Sequence, residues 1–407
     1  MTIARRRLLA GAASTAAVAP LTRARAQKPV TIRWWYHFDD PKATPDALIA
    51  DFEAQNPGIK IRAESIPWGG GGDYDTRLYT ALIAGSGPDT AMVKFQNMPR
   101  LMEMQAIAPL DKYIAAWPAR GDISEDLWKL HRAPDGRRYY MPLQYVVLYL
   151  YVRQDWFAEK KLPMPTSFDA FLKGAEALTS GDRWGFGLRG GSGGHDFWAT
   201  FVLGGGAALK KGGLVTPAAF AANKWFIDLY RTHHVCPPSA PTDGFVQTID
   251  NMKAGRTAMT IHHIGSANEM VAALGDKITA IPVPHGVGMK GWTTYGDGSS
   301  AVFTACEHPD AAWKWVSFLS TGQANATFAK LTAQLPVTTS SLASWHEQPR
   351  RFIEASARSL PMAQTLPPTT QTGDFTRTVW PQTTQQALLG QITPDAMMRT
   401  FEKLFFG

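Results

Sequence analysis

From residue 30 onward, short β-branched and aromatic runs alternate with amphipathic segments that end at Gly or Pro. Val30-Thr31-Ile32-Arg33-Trp34-Trp35-Tyr36 has strand composition. Asp46 to Asn56 places Leu48, Ile49 and Phe52 at helical spacing, and Asn56-Pro57-Gly58 stops it. Ile59 to Ala63 alternates as a second strand, Asp73 to Ala84 is a helix, and Thr90 to Val93 is a third strand. Strands interleaved with helices demand a sheet covered on both faces, so the expected fold class is α/β. The pattern continues with one long apolar strand over Val146–Val152, a helix over Ser167–Leu178 capped by Ser167, and a strand over Trp184–Leu188. Helices follow over Pro217–Arg231 and Pro309–Leu319, with short strands at Ala258–Ile261 and Ala301–Phe303. At ~100–200 residues per domain, 407 residues make two domains, with three within range. The 45% apolar content supports large cores and excludes a disordered chain or a coiled coil.

Residues 1–26 read as a cleaved export signal. Arg5, Arg6 and Arg7 precede a short apolar stretch, Leu8 to Ala19, and Ala24-Arg25-Ala26 fits a small-x-small cleavage site. Arg5-Arg6-Arg7-Leu8-Leu9 also resembles a twin-arginine motif; an ordinary Sec signal remains the alternative. The segment holds five Arg and no acid, so removing it leaves 36 basic against 34 acidic side chains. The overall +7 therefore belongs to the signal, and no nucleic-acid partner is expected. No later stretch reaches ~18 consecutive apolar residues. A periplasmic protein is expected. Cys236 and Cys306 could pair there if their Cα atoms come within ~7 Å, which the sequence leaves open.

Gly190-Gly191-Ser192-Gly193-Gly194 formally matches a G-x-S-x-G nucleophile elbow, but a Ser among four glycines reads better as a flexible or ligand-facing loop. His233-His234-x-Cys236 and His262-His263 offer adjacent ligands that diverge, so no metal site is expected. Phosphate-loop and dinucleotide motifs are missing, and no cofactor is expected. What remains is a set of aromatic and polar residues at strand ends. They are Trp35-Tyr36-His37-Phe38-Asp39 at the end of the first strand, Trp68 after the second, Phe95-Gln96 after the third, and Trp292 with Tyr295-Gly296-Asp297 in a later loop. Ligands of open α/β sheets collect at strand carboxyl ends, where rings cover C–H faces and polar groups bind hydroxyls.

These residues resemble the extracellular solute-binding proteins of ABC importers, the large family (family 1) serving maltose, other sugars and glycerol phosphates. The resemblance spans nearly all of residues 28–407. It is carried by Phe52-x-x-x-Asn56-Pro57, Ala84-Gly85-Ser86-Gly87-Pro88-Asp89, Asp135 to Pro142, and Leu162-Pro163-x-Pro165-Thr166-Ser167-Phe168. Met252 to Met259, the helix His308 to Leu319, and Leu335-Pro336-Val337 complete it. It implies a two-lobed periplasmic-binding-protein fold (type II) with a ligand cleft between lobes joined by crossover hinges. The expected lobes are residues 27–144 plus 297–337 and residues 145–296 plus 338–407. The hinges are expected near Tyr145–Val147, Tyr295–Ser300 and Pro336–Ser341.

By the same resemblance, ligand contacts are expected at His37, Gln144, Tyr145, His195, Asp196, Gly265, Ser266, Gly296, Asp297 and Arg377. Tyr145 and Val146 depart from the small polar residues common there. The implied function is capture of a sugar or sugar derivative, phosphorylated and sulfonated ones included, by a monomer that delivers it to ABC permease membrane subunits. The alternatives are a periplasmic hydrolase using the Ser192 loop and a ligand-sensing receptor subunit.

Overall fold

The computed structural model describes residues 28–38, 43–67, 72–343 and 345–407. The expected export segment, Asp39 and Trp68 lie outside them. In chain order the strands are β1 (Val30–Tyr36), β2 (Ile59–Ser65), β3 (Thr90–Val93), β4 (Tyr140–Val147), β5 (Tyr149–Arg153) and β6 (Trp184–Phe186). They continue with β7 (Thr257–His262), β8 (Ile278–Ile281), β9 (Thr293–Val302), β10 (Leu335–Pro336) and β11 (Ala363–Gln364).

Two sheets form. The first runs β10-β4-β9-β3-β1-β2, with β11 on the end of β9, and the second runs β6-β7-β5-β8. Strands β1 and β2 pair in parallel from Val30↔Ile59 to Tyr36↔Ser65, joined by the helix Asp46–Gln55. That helix buries Leu48 and Phe52, and Asn56 closes it by donating from Nδ2 to the Phe52 carbonyl at 3.0 Å. On one face of the first sheet, Trp34 and Phe52 each meet the Trp315 ring edge-on at 5.1 Å. On the other, Trp35 packs with Tyr74 and Tyr140. The second sheet buries Phe171, Phe186 and Phe201 on one side, while Tyr151 packs on Phe352 at 5.1 Å on the other. The helix Phe168–Leu178 starts as expected, with Ser167 Oγ accepting from the Ala170 amide.

Three passages link the sheets, the second running from β8 back into β9. The apolar run expected as one strand over Val146–Val152 is instead broken at Leu148: β4 ends in the first sheet and β5 begins in the second. Leu148 is held at the step by the start of β9, donating its amide to Thr294 O (3.2 Å) and accepting from Thr293 Oγ1 (2.6 Å). The third passage follows β10, after which the helix Arg350–Ser359 packs on β8. Asn325 anchors it, accepting from the Val337 amide at 2.9 Å and donating to Leu143 O at 2.7 Å.

Tyr295-Gly296-Asp297, expected in a loop, lie inside β9, which finds pairing partners on both sides in β3 and β4. Both cysteines are free thiols, Cys236 buried and Cys306 partly buried. Among the described residues no helix is long and apolar enough to cross a membrane.

Candidate functional site

A cavity of about 640 Å³ lies between the two sheets, within the range of small-molecule clefts. The parallel strands β1 and β3 run their carboxyl ends toward it, delivering His37 and Phe38, then Lys94, Phe95 and Gln96. The second sheet supplies Arg189, Gly193, His195 and Asp196 beyond β6, and His262 and His263 at the end of β7. Phe245, Gly265, Ser266, Gln334, Thr365 and Thr372 close the walls.

Strand geometry decides which side chains of β4 enter. Gln144, Val146 and Leu148 line the cleft, as the two-residue period requires. Tyr145 therefore faces away, buried, with its ring stacked on Tyr295 at 6.0 Å. A register shift between Pro142 and Gln144 sets this phase and accommodates a proline inside the strand. Gly298 makes room for the glutamine: a Cβ there would come within 2.7 Å of Gln144 Cγ and Nε2.

The charges inside are largely spoken for. Asp297 accepts the Phe95 amide at 2.9 Å and Ser299 Oγ at 2.8 Å, with His131 Nε2 at 3.7 Å. Burial pushes the Asp297 carboxyl up, but these donors, His131 foremost, bring it below the usual range. Asp196 Oδ1 is 3.5 Å from His195 Nε2, and Glu269 pairs with Lys253 at 3.1 Å. Burial, with Lys94 adding to it, lowers His37 to about 3. Burial, Lys94 and Arg189 do the same for His263. Burial also lowers His195 and His262, so these rings are neutral near pH 7. Three buried polar side-chain atoms of the lining find no protein partner: Gln144 Oε1, His195 Nδ1 and His262 Nε2. Unmet buried groups cost roughly 1–3 kcal/mol each, so they favour a polar guest. Among the described residues no cluster of His, Cys, Asp or Glu could hold a metal ion.

Of the residues expected from sequence, His37, Phe38, Gln96, Gln144, His195, Asp196, Gly265, Ser266, Tyr295, Gly296 and Asp297 lie on the cleft lining. Tyr145 and Arg377 do not. Arg377 is half-exposed in the turn Phe375–Val379, 3.8 Å from Asp374. Ser192 is exposed and also off the lining. Sequence reasoning missed Lys94, Arg189, Phe245, His262 and His263. The histidine pair carried a usable signal, since it directly follows an apolar strand. Arg189, just ahead of the glycine loop, carried a weaker one.

A family model described as bacterial extracellular solute-binding protein matches residues 38–326. A binding protein of Brucella abortus is 24% identical over 366 residues, covering 86% of this chain and 85% of the relative. An ABC transporter solute-binding protein of Thermotoga lettingae, bound with alpha-D-tagatose, superposes with a TM-score of 0.78 at 20% identity, over 92% of this chain and 100% of that one. An ABC substrate-binding protein of Listeria monocytogenes in complex with cycloalternan gives 0.79 at 18% identity, over 93% and 98%. The shared fold is the two-lobed α/β architecture expected from the sequence.

Proposed function

The chain belongs to the bacterial extracellular solute-binding protein family, and from that premise we propose that it is the sugar-binding component of an ABC importer. It acts in the periplasm, reached through the cleaved, twin-arginine-type signal at residues 1–26. The observation that carries this reading is the cleft itself. Gln144, His195 and His262 offer hydrogen-bonding atoms that no protein group takes up, beside the aromatic ring of Phe245. Hydroxyls match such atoms, and ring faces match the C–H side of a sugar. The similarity to structures holding tagatose and cycloalternan points the same way.

The lobes, taken as residues 27–144 plus 297–337 and 145–296 plus 338–407, close on the guest by rotation about the linking passages. Ligand binds the closed form better and so shifts the population toward it. The closed monomer then delivers the sugar to permease subunits. Isothermal titration with mono- and disaccharides, their acids and their phosphates tests this. Saturable binding, together with compaction in solution scattering, is expected. A protein that binds no member of the panel, or that turns one over, refutes it.

A further inference from the structure

The glycine loop of residues 190–194 is neither a nucleophile elbow nor a simple turn, and its geometry points to a different job. Gly193 has φ +79°, and a Cβ on it would lie 2.1 Å from Arg189 Nη2 and 2.4 Å from Cζ. A Cβ on Gly194 would lie 1.8 Å from the Arg189 carbonyl oxygen. Only glycine leaves space for this side chain, which folds back over its own loop. Arg189 Nε donates to Ser192 O at 2.6 Å, which fixes the fork, and Cζ sits 5.7 Å from the centre of the Phe245 ring. Among the described residues neither terminal nitrogen has a hydrogen-bond acceptor, and no carboxylate lies within 4.0 Å. Asp196 is the carboxylate whose charge reaches the guanidinium, and it sits against His195. Arg189 and Gly193 both line the cleft. Lys94 lines it from the first sheet, and the fields of both cations reach the His263 ring.

We propose that the glycine loop is a seat for Arg189, and that its guanidinium, with Lys94 from the other lobe, grips an anionic group on the bound sugar. The chemistry is that of a carboxylate, phosphate or sulfate: a planar two-pronged donor on one side and a point cation on the other. Because the cations come from different lobes, an acidic guest draws the lobes together where a neutral one does not. This inference rests on the sugar-binding reading above.

The test compares each neutral sugar with its acid by calorimetry: glucose with glucuronate, glucose 6-phosphate and glucose 6-sulfate, and galactose with galacturonate. The acid of the preferred stereochemistry is expected to bind at least about tenfold tighter, with affinity falling as salt rises. R189Q and G193A are each expected to pull the acid-to-neutral affinity ratio toward one, and R189K to restore part of it. Carboxylate, phosphate and sulfate arms identify which anion is accepted. A neutral sugar that binds as tightly as its acids overturns this inference and leaves the sugar-binding reading standing. Failure of every sugar to bind overturns both. If a variant does not fold, the wild-type comparison decides alone.

Discussion

Asp297 offers the sharpest check on how the cleft is held in shape. Its carboxylate is buried inside β9 and accepts the Phe95 amide through both oxygens, at 2.9 and 3.1 Å. Ser299 Oγ donates to it at 2.8 Å. It therefore pins the turn that presents Phe95 and Gln96 to the cleft. Replacing Asp297 by Ala strands the Phe95 amide and the Ser299 hydroxyl. At roughly 1–3 kcal/mol for each unmet buried group, the expected loss of stability is about 2–6 kcal/mol. Asp297→Asn keeps the shape and one acceptor oxygen but puts an NH2 where a second acceptor was, so its expected cost is smaller, about 1–3 kcal/mol. Urea unfolding followed by tryptophan fluorescence measures both. Both variants should also bind ligand more weakly than wild type after correction for the unfolded fraction. An Asn variant within about 0.5 kcal/mol of wild type, with unchanged affinity, would refute the reasoning, because the donors would then be indifferent to the charge they face.

Gln144→Ala should weaken ligand binding by about 1–2 kcal/mol in calorimetry, whereas Tyr145→Phe, one residue along but on the opposite face of β4, should leave the dissociation constant unchanged. Asn325→Ala should cost about 2–4 kcal/mol in urea unfolding, because the Val337 amide and Leu143 carbonyl lose their buried partner. His37 and His263 are lowered to about 3 in the folded protein against an ordinary 6.5. Between those values the unfolded chain takes up protons that the folded one refuses. Their contribution is therefore complete above about pH 7 and is lost as pH falls from 6.5 toward 3, at up to ~1.4 kcal/mol per pH unit for each ring. His263→Asn should flatten that part of the stability profile, and an unchanged slope between pH 6.5 and 4 would contradict it.

The first half of the first sheet was open to reading from sequence, because its signals are local. β-branched and aromatic runs, helical spacing and an Asn-Pro-Gly stop are set by neighbours in the chain, so β1, β2, β3 and the helix between the first two appear where expected. The strand-end rule likewise brought His37, Phe38 and Gln96 to the cleft, since parallel strands send their carboxyl ends to one edge. The apolar run at Val146–Val152 has no local mark at Leu148. It changes sheets there because β9 and β10 compete for one half and β7 and β8 for the other. Likewise β9, with its Gly, Asp and Ser, has weak strand propensity and becomes regular only because strands already flank it on both sides.

Composition and periodicity were thus enough to settle the alternation of elements, the near balance of charge in the chain without its first 26 residues, and the strand ends that open on the cleft. They could not settle which face of β4 looks inward, that Asp297 spends its charge on Phe95, or that Gly193 leaves room for an arginine's fork. Those outcomes depend on contacts between residues far apart in the chain, up to 202 positions for Phe95 and Asp297. A linear pattern carries side-chain period and polarity, but not the partners that folding brings within hydrogen-bond reach.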